Sequence, residues 1–265
     1  WNPPTCDREL AAAGDDDVAA LARAGAAGDG GRAAERGARG AAGHAALPGG
    51  SCVAMHFAAV EGRAEMVALL LARGADVEGG TRRGGNTPLY LAALFGHAAA
   101  ARRLLEGGAE ASRAAEGGQS PLWMACYGGY FEAARALVEG GADGGQARGD
   151  GMAPLRMACQ NGHVDVARLL IEKDADVGQA NNDGMSPLFM ACMAGHVAVA
   201  RLLIEKDADV GQAKNDGRSP LYIACENGHV DVAQLLIEKD ADVGQAMNNG
   251  ASPLWIACQN GHVDA

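Results

Sequence analysis

Between Asp183 and Asn215 the apolar positions form two short stripes separated by a polar hinge. Leu188, Ala191 and Cys192 share one face at helical spacing, and Val199, Leu202 and Leu203 share another. Ser186 has the side chain of an N-cap, and Pro187 follows at the first helical position, where a missing N–H is harmless. Gly195 supplies a left-handed stop for the first helix. A second helix is predicted from Val197 to Lys206, with Arg201, Glu205 and Lys206 facing out and an Arg201–Glu205 pair allowed by the spacing. Asp209-Val210 and the polar stretch Gly211 to Gly217 then read as a projecting turn. The same sentence is written repeatedly: its Pro-Leu pair stands at Pro88, Pro121, Pro154, Pro187, Pro220 and Pro253, every gap 33 residues. A unit of this size cannot bury both flanks by itself, so a fixed period implies stacked neighbours rather than one closed globule.

The motifs TPLYLAA (87–93), SPLWMAC (120–126), APLRMAC (153–159), SPLFMAC (186–192), SPLYIAC (219–225) and SPLWIAC (252–258) resemble the Thr-Pro-Leu-His-x-Ala signature of the ankyrin repeat. Gly-His follows at 96–97, 162–163, 195–196, 228–229 and 261–262, and Gly-Tyr at 129–130; VAMHFAA at 53–59 is a worn earlier copy. The resemblance covers about residues 50–265. It implies an all-α solenoid of helix-turn-helix units with projecting β-turns or hairpins. The expected units are 51–83, 84–116, 117–149, 150–182, 183–215, 216–248 and a truncated 249–265. Three departures stand out. The signature histidine is replaced by Tyr90, Trp123, Arg156, Phe189, Tyr222 and Trp255. The glycine of Gly-Ala-Asp becomes Asp174, Asp207 and Asp240, which tolerate left-handed backbone less well. The asparagine after Asp-Val, which the family uses to tie the hairpin and as a hydroxylation target, is Gly178, Gly211 and Gly244.

Outside the repeats, residues 7–24 read as a helix pair, and 1–24 as a degenerate capping unit. Residues 25–50 contain 18 Gly or Ala and one sizeable hydrophobe, Leu47, so this stretch reads as a mobile insertion. A first residue other than Met, and an end inside an expected helix, suggest a fragment of a larger product with a frayed C-terminus and an exposed apolar face near Leu254 and Ile256.

Charge narrows the partners. The chain carries −11, of which residues 150–265 contribute −8 (16 acids, 8 bases). That argues against binding a phosphate backbone; the one basic pair, Arg82-Arg83, lies at an expected hairpin tip. No run of 18 apolar residues is present, so no membrane insertion is expected. Cys126, Cys159, Cys192, Cys225 and Cys258 occupy one repeat position. Stacked helices lie about 8–10 Å apart, too far for disulfides. They read as small reduced core residues of an intracellular, cytoplasmic protein.

Cys and His recur four apart, as in Cys192/His196, which invites a metal or nucleophile reading. Zinc needs four convergent ligands, and a single active site would not repeat in every unit. The plainer reading is a packing cysteine and a helix-capping histidine. No phosphate loop, nucleophile elbow or metal cluster occurs. The chain therefore reads as no enzyme, with no cofactor and no small-molecule substrate.

Two sets of residues are candidates for contact with a protein partner. The first is the ladder in the former histidine position with its neighbour one helical turn on: Trp123/Tyr127, Arg156/Gln160, Phe189/Met193 and Tyr222/Glu226. The ladder is either a binding strip, since Trp, Tyr and Arg dominate hot spots, or stacking that seals the turn onto the helix. Arg156, which interrupts the aromatics, could stack on a neighbouring ring or reach an acidic ligand. The second set is the turn tips, where near-identical copies differ: Arg148, Asp150 and Met152; Asn182, Asp183 and Met185; Asn215, Asp216 and Arg218; Asn248 and Asn249. Drift at exposed sites would also produce such variation. The reading is a protein-binding scaffold that uses tips and first-helix faces toward a partner with a basic patch. The alternative is a regulatory or targeting array of a larger enzyme, ubiquitin ligase or channel, contexts in which the resemblance implies such arrays occur.

Overall fold

The computed structural model describes residues 53–81 and 84–262. The expected cap at 1–24, the insertion at 25–50, the Arg82-Arg83 pair and the frayed last residues 263–265 lie outside them. Helices alternate short and long: α1 (Val53–Val60), α2 (Ala64–Ala72), α3 (Pro88–Leu94), α4 (Ala98–Glu106), α5 (Pro121–Gly128), α6 (Phe131–Glu139), α7 (Pro154–Gln160), α8 (Val164–Glu172), α9 (Pro187–Ala194), α10 (Val197–Glu205), α11 (Pro220–Glu226), α12 (Val230–Glu238) and α13 (Pro253–Asn260). The fold is the expected all-α solenoid of paired helices. Among the described residues there is no strand, and no helix is long and apolar enough to cross a membrane.

The first helices start as the sequence anticipates. Thr87, Ser186, Ser219 and Ser252 adopt extended backbone, and their hydroxyls accept from the N–H three residues on, at 3.1–3.2 Å. This satisfies one of the donors every helix start leaves open. Gly195 ends α9 with φ 77. A side chain there would meet the His229 ring at 2.8 Å, so the position needs glycine both for conformation and for space. The Gly-to-Asp departures keep their left-handed backbone, with φ 62 at Asp174, 63 at Asp207 and 61 at Asp240.

Two compact units divide the chain. The first comprises the described residues up to Ala125 together with Glu132–Ala142; the second comprises Cys126–Phe131 together with the described residues from Asp143 onward. In the first, α1 packs on α3 and α2 on α4. In the second, first helices stack as α7, α9, α11, α13 and second helices as α8, α10, α12. The core follows this stacking. α10 buries Val199, Ala200, Leu202 and Leu203, each of which contributes about 1.5–3 kcal/mol when it is a full aliphatic side chain. Leu155, Leu188 and Leu221 are at most 2% exposed, whereas Leu254, the same letter in the last described repeat, is 67% exposed. Of the face expected to be open there, Leu254 is exposed but Ile256 is buried, on a helix that packs against α11. Cys126, Cys159, Cys192 and Cys225 are buried as expected, while Cys258 is exposed.

One local expectation needs correction. α10 ends at Glu205, with Lys206 as its C-cap, and Arg201 forms no ion pair with Glu205; the i,i+4 spacing is used instead by Arg135 and Glu139, 3.9 Å apart. The projecting turns form as expected, without a strand among the described residues. Each is a tight loop closed by backbone bonds, as from Arg148 N–H to Met152 O (3.0 Å) with Gly151 N–H to Arg148 O (2.8 Å), and from Lys214 N–H to Arg218 O (2.9 Å) with Gly217 N–H to Lys214 O (2.8 Å).

Candidate functional site

Four columns of polar side chains in the second unit hold one repeat to the next. The Gly-His histidines do not cap their helices, although each occupies the N-cap position. Their Nε2 atoms reach back one repeat instead: His163 to Tyr127 O (3.1 Å), His196 to Gln160 O (3.1 Å) and His229 to Met193 O (3.2 Å). Beside them Asn161, Asn227 and Asn260 donate to Tyr127 O, Met193 O and Glu226 O, each at 2.9 Å. The sequence fills the matching position before Gly195 with Ala194, so that rung is missing. A third column runs through the loops, from Gln179, Gln212 and Gln245 to Gly145 O, Gly178 O and Gly211 O, at 3.0–3.3 Å.

The tips form a fourth column. Asn182, Asn215 and Asn248 donate through Nδ2 to Gly149 O, Asn182 O and Asn215 O (3.0–3.2 Å). Their backbone N–H groups donate to Asp150 O, Asp183 O and Asp216 O (3.0–3.2 Å). These asparagines, candidates for contact with a partner, also join adjacent tips and remain exposed. The glycines after Asp-Val also have a physical account. Asp176, Asp209 and Asp242 fold back so that Oδ1 accepts from Gly178, Gly211 and Gly244 N–H at 2.8 Å, which takes over the local tie.

The former histidine position lies inside the repeats. Trp123 is 7% exposed, Phe189 1%, Tyr222 3% and Arg156 0%; Trp255 alone is open, at 54%. The residues one turn on are half-buried and reachable: Tyr127, Gln160, Met193 and Glu226. Of the tip residues, Met152, Met185, Arg148, Asp150, Asp216 and Arg218 are half-buried, and Asp183 and Asn249 are exposed along with the ladder asparagines. The structure thus splits the predicted strip into interior supports and an accessible row next to them.

Charges on this row are mostly paired. Arg148 Nη2 meets Asp150 Oδ2 at 2.6 Å. Burial works against ionisation of Asp150, but that bond and the Met152 N–H outweigh it and hold the carboxyl below its usual range. Arg218 bridges the tip to α11, at 2.9 Å from Asp216 and 3.3 Å from Glu226, and Lys214 adds 3.2 Å to Asp216. The Arg218 hydrogen bond pulls Asp216 well down, and the same bond raises Arg218. Arg156 is different. It neither stacks on Phe189 nor meets a carboxylate within hydrogen-bond distance. Nη1 makes a long 3.5 Å contact with Met185 O, while Nε and Nη2 are buried and unpaired. Burial lowers its pKa, opposed by the negative charges of Asp150 and Asp183.

The cysteine column has no chemistry of this kind. Burial pushes the Cys126, Cys159 and Cys192 thiols far up, away from the reactive thiolate. Among the described residues no three His, Cys, Asp or Glu side chains are grouped to hold a metal ion.

Comparison with known proteins places these elements in context. The family model for ankyrin repeats (3 copies) matches residues 46–115, 122–213, 174–247 and 211–265. Among solved structures, the human ASB11 ankyrin repeat domain is 29% identical with a TM-score of 0.70, covering 77% of this chain and 90% of that one. The ankyrin repeat domain of Bcl-3, described as a unique member of the IkappaB protein family, is 25% identical with a TM-score of 0.71, covering 81% and 97%. Comparison with the curated proteins gives no match. With repeated signatures, paired helices and a family match over most of its length, the chain belongs to the ankyrin repeat family.

Proposed function

We propose that the second unit is a protein-binding scaffold, without catalytic chemistry of its own. Its contact row runs over Met152, Gln160, Asp183, Met185, Met193, Arg218, Glu226 and Asn249. One observation carries the reading. Residues that differ between near-identical copies stay reachable at the tips and at the position one turn after the ladder, while the asparagine, histidine and glutamine columns make inter-repeat hydrogen bonds. That combination gives a rigid backbone with replaceable side chains, which lowers the ordering cost of binding. The half-buried Met185 and Met193 offer adaptable apolar contact. Arg156, Phe189 and Tyr222 lie buried beside the row within the same unit.

The partner we infer is a protein with a basic patch in the cytoplasm. Residues 150–265 carry −8, which would steer such a partner and disfavour nucleic acid. The regulatory-array reading stays as a second one. It is favoured by the similar structures, each of which is described as the ankyrin repeat domain of a named protein.

Proximity labelling with the intact chain, followed by calorimetry with the purified partner, tests the proposal. Asp183→Lys, Met193→Lys and Glu226→Lys together should weaken binding at least tenfold while the helical circular dichroism signal is kept. Unchanged affinity in that variant would remove the row from the interface.

A further inference from the structure

The joint between α7 and α9 departs from the other copies in two ways. Its ladder residue is Arg156 where they hold Tyr90, Trp123, Phe189 and Tyr222, and its pre-turn residue is Ala194 where the other later copies hold Asn161, Asn227 and Asn260. A fully buried guanidinium with unpaired Nε and Nη2 results. One helical turn on, Gln160 Oε1 is also buried and unpaired, although the rest of that side chain reaches solvent. Leaving such groups unsatisfied is destabilising, more so for a charge, and an aromatic ring here would avoid that cost. Residues 156 and 160 share a helix face, so the unpaired donors and the unpaired acceptor belong to one locus.

The charges at this locus are balanced already. Arg148 and Arg156 are matched by Asp150 and Asp183, whose negative charges both act on the Arg156 guanidinium. A ligand carboxylate would add a third negative charge and place an acceptor against Gln160 Oε1. A neutral carboxamide fits both needs: its oxygen accepts from Arg156 Nε–H and Nη2–H, and its NH2 donates to Gln160 Oε1. Access requires Gln160 to swing outward, and flexible Met193 is the corresponding residue one repeat on.

We propose that Arg156 and Gln160 form a recessed seat for one carboxamide, an Asn or Gln side chain of a bound protein segment. This rests on the protein-binding reading, but its test uses a small probe, so failure here is distinguishable from failure of that reading.

The full chain is titrated with propionamide and, separately, propionate. The readout is the nitrogen–proton cross-peak of Arg156 Nε–H, assigned by its loss in Arg156→Met. The expected result is a saturable shift with propionamide, at least tenfold weaker with propionate. That response should also be reduced at least tenfold in Gln160→Met, which keeps Arg156 and the bulk at 160. Three results would overturn the proposal: no shift with propionamide, an equal or stronger response to propionate, or a water cross-peak at Nε–H that persists unchanged through the titration.

Discussion

The missing rung at Ala194 allows two chemically identical substitutions to be compared on one scaffold. His229 and Asn227 both donate to Met193 O, at 3.2 and 2.9 Å. His196 alone donates to Gln160 O from the side-chain columns, at 3.1 Å, because residue 194 has no amide side chain. His196→Ala and His229→Ala lose the same ring and the same packing over the glycine of the preceding repeat. They differ in what remains for the carbonyl. Met193 O keeps a partner, whereas Gln160 O is orphaned. An orphaned buried acceptor costs about 1–3 kcal/mol, and the half-buried setting of this joint puts the difference near the lower end, about 1 kcal/mol. Conversely, Ala194→Asn supplies the rung that Asn161, Asn227 and Asn260 make at 2.9 Å. A new bond is worth about 0.5–1.5 kcal/mol, less up to about 0.7 kcal/mol of helix propensity at the last position of α9. Its net gain should be about 0.5 kcal/mol in the parent chain and about 1 kcal/mol when added to His196→Ala. Urea unfolding of the full chain, followed by circular dichroism, measures all four variants. Equal costs for the two histidines, or no rescue by Ala194→Asn in the His196→Ala background, would refute the idea that these columns carry inter-repeat stability.

Other outcomes follow from single positions. Gly195→Ala should cost well over 1 kcal/mol, because φ is 77 and the new carbon meets the His229 ring at 2.8 Å; Gly250→Ala, with φ 87 and open space, should cost only about 1 kcal/mol, which thermal melts of both would separate. Asp207→Gly should stabilise by about 0.5 kcal/mol in the same melts, since the left-handed backbone at φ 63 then loses its side-chain penalty, offset in part by a freer unfolded chain. The Arg218 hydrogen bond depresses the Asp216 carboxyl in the folded state, so its stabilisation is present above the unfolded carboxylate range and fades as pH falls toward the lower folded value; Asp216→Asn should flatten that acid limb in pH-dependent urea melts. Native thiol mapping by mass spectrometry at about pH 8 should label Cys258 rapidly and spare Cys126, Cys159 and Cys192, and labelling of the buried three at the rate of Cys258 would contradict the burial that raises them.

Sequence alone determined what is local or periodic. Ser186, Pro187 and Gly195 set a helix start and stop through bonds spanning three or four residues, and their recurrence every 33 residues specifies a stack. The left-handed aspartates were legible for the same reason: the backbone demand of that turn is local. Tertiary structure decided whatever joins one repeat to the next. The histidine, asparagine and glutamine columns link residues 33–36 positions apart, and nothing in a local window distinguishes a ring that caps its own helix from one that reaches the preceding repeat. Likewise the letters of Trp123 and Trp255 are equivalent in the repeat, yet one is 7% and the other 54% exposed. Burial is a property of the neighbours a side chain meets, and only the folded stack supplies them. Arg156 unites both lessons: its departure from the ladder is visible in the sequence, but its unpaired guanidinium exists only because the packed repeats close over it.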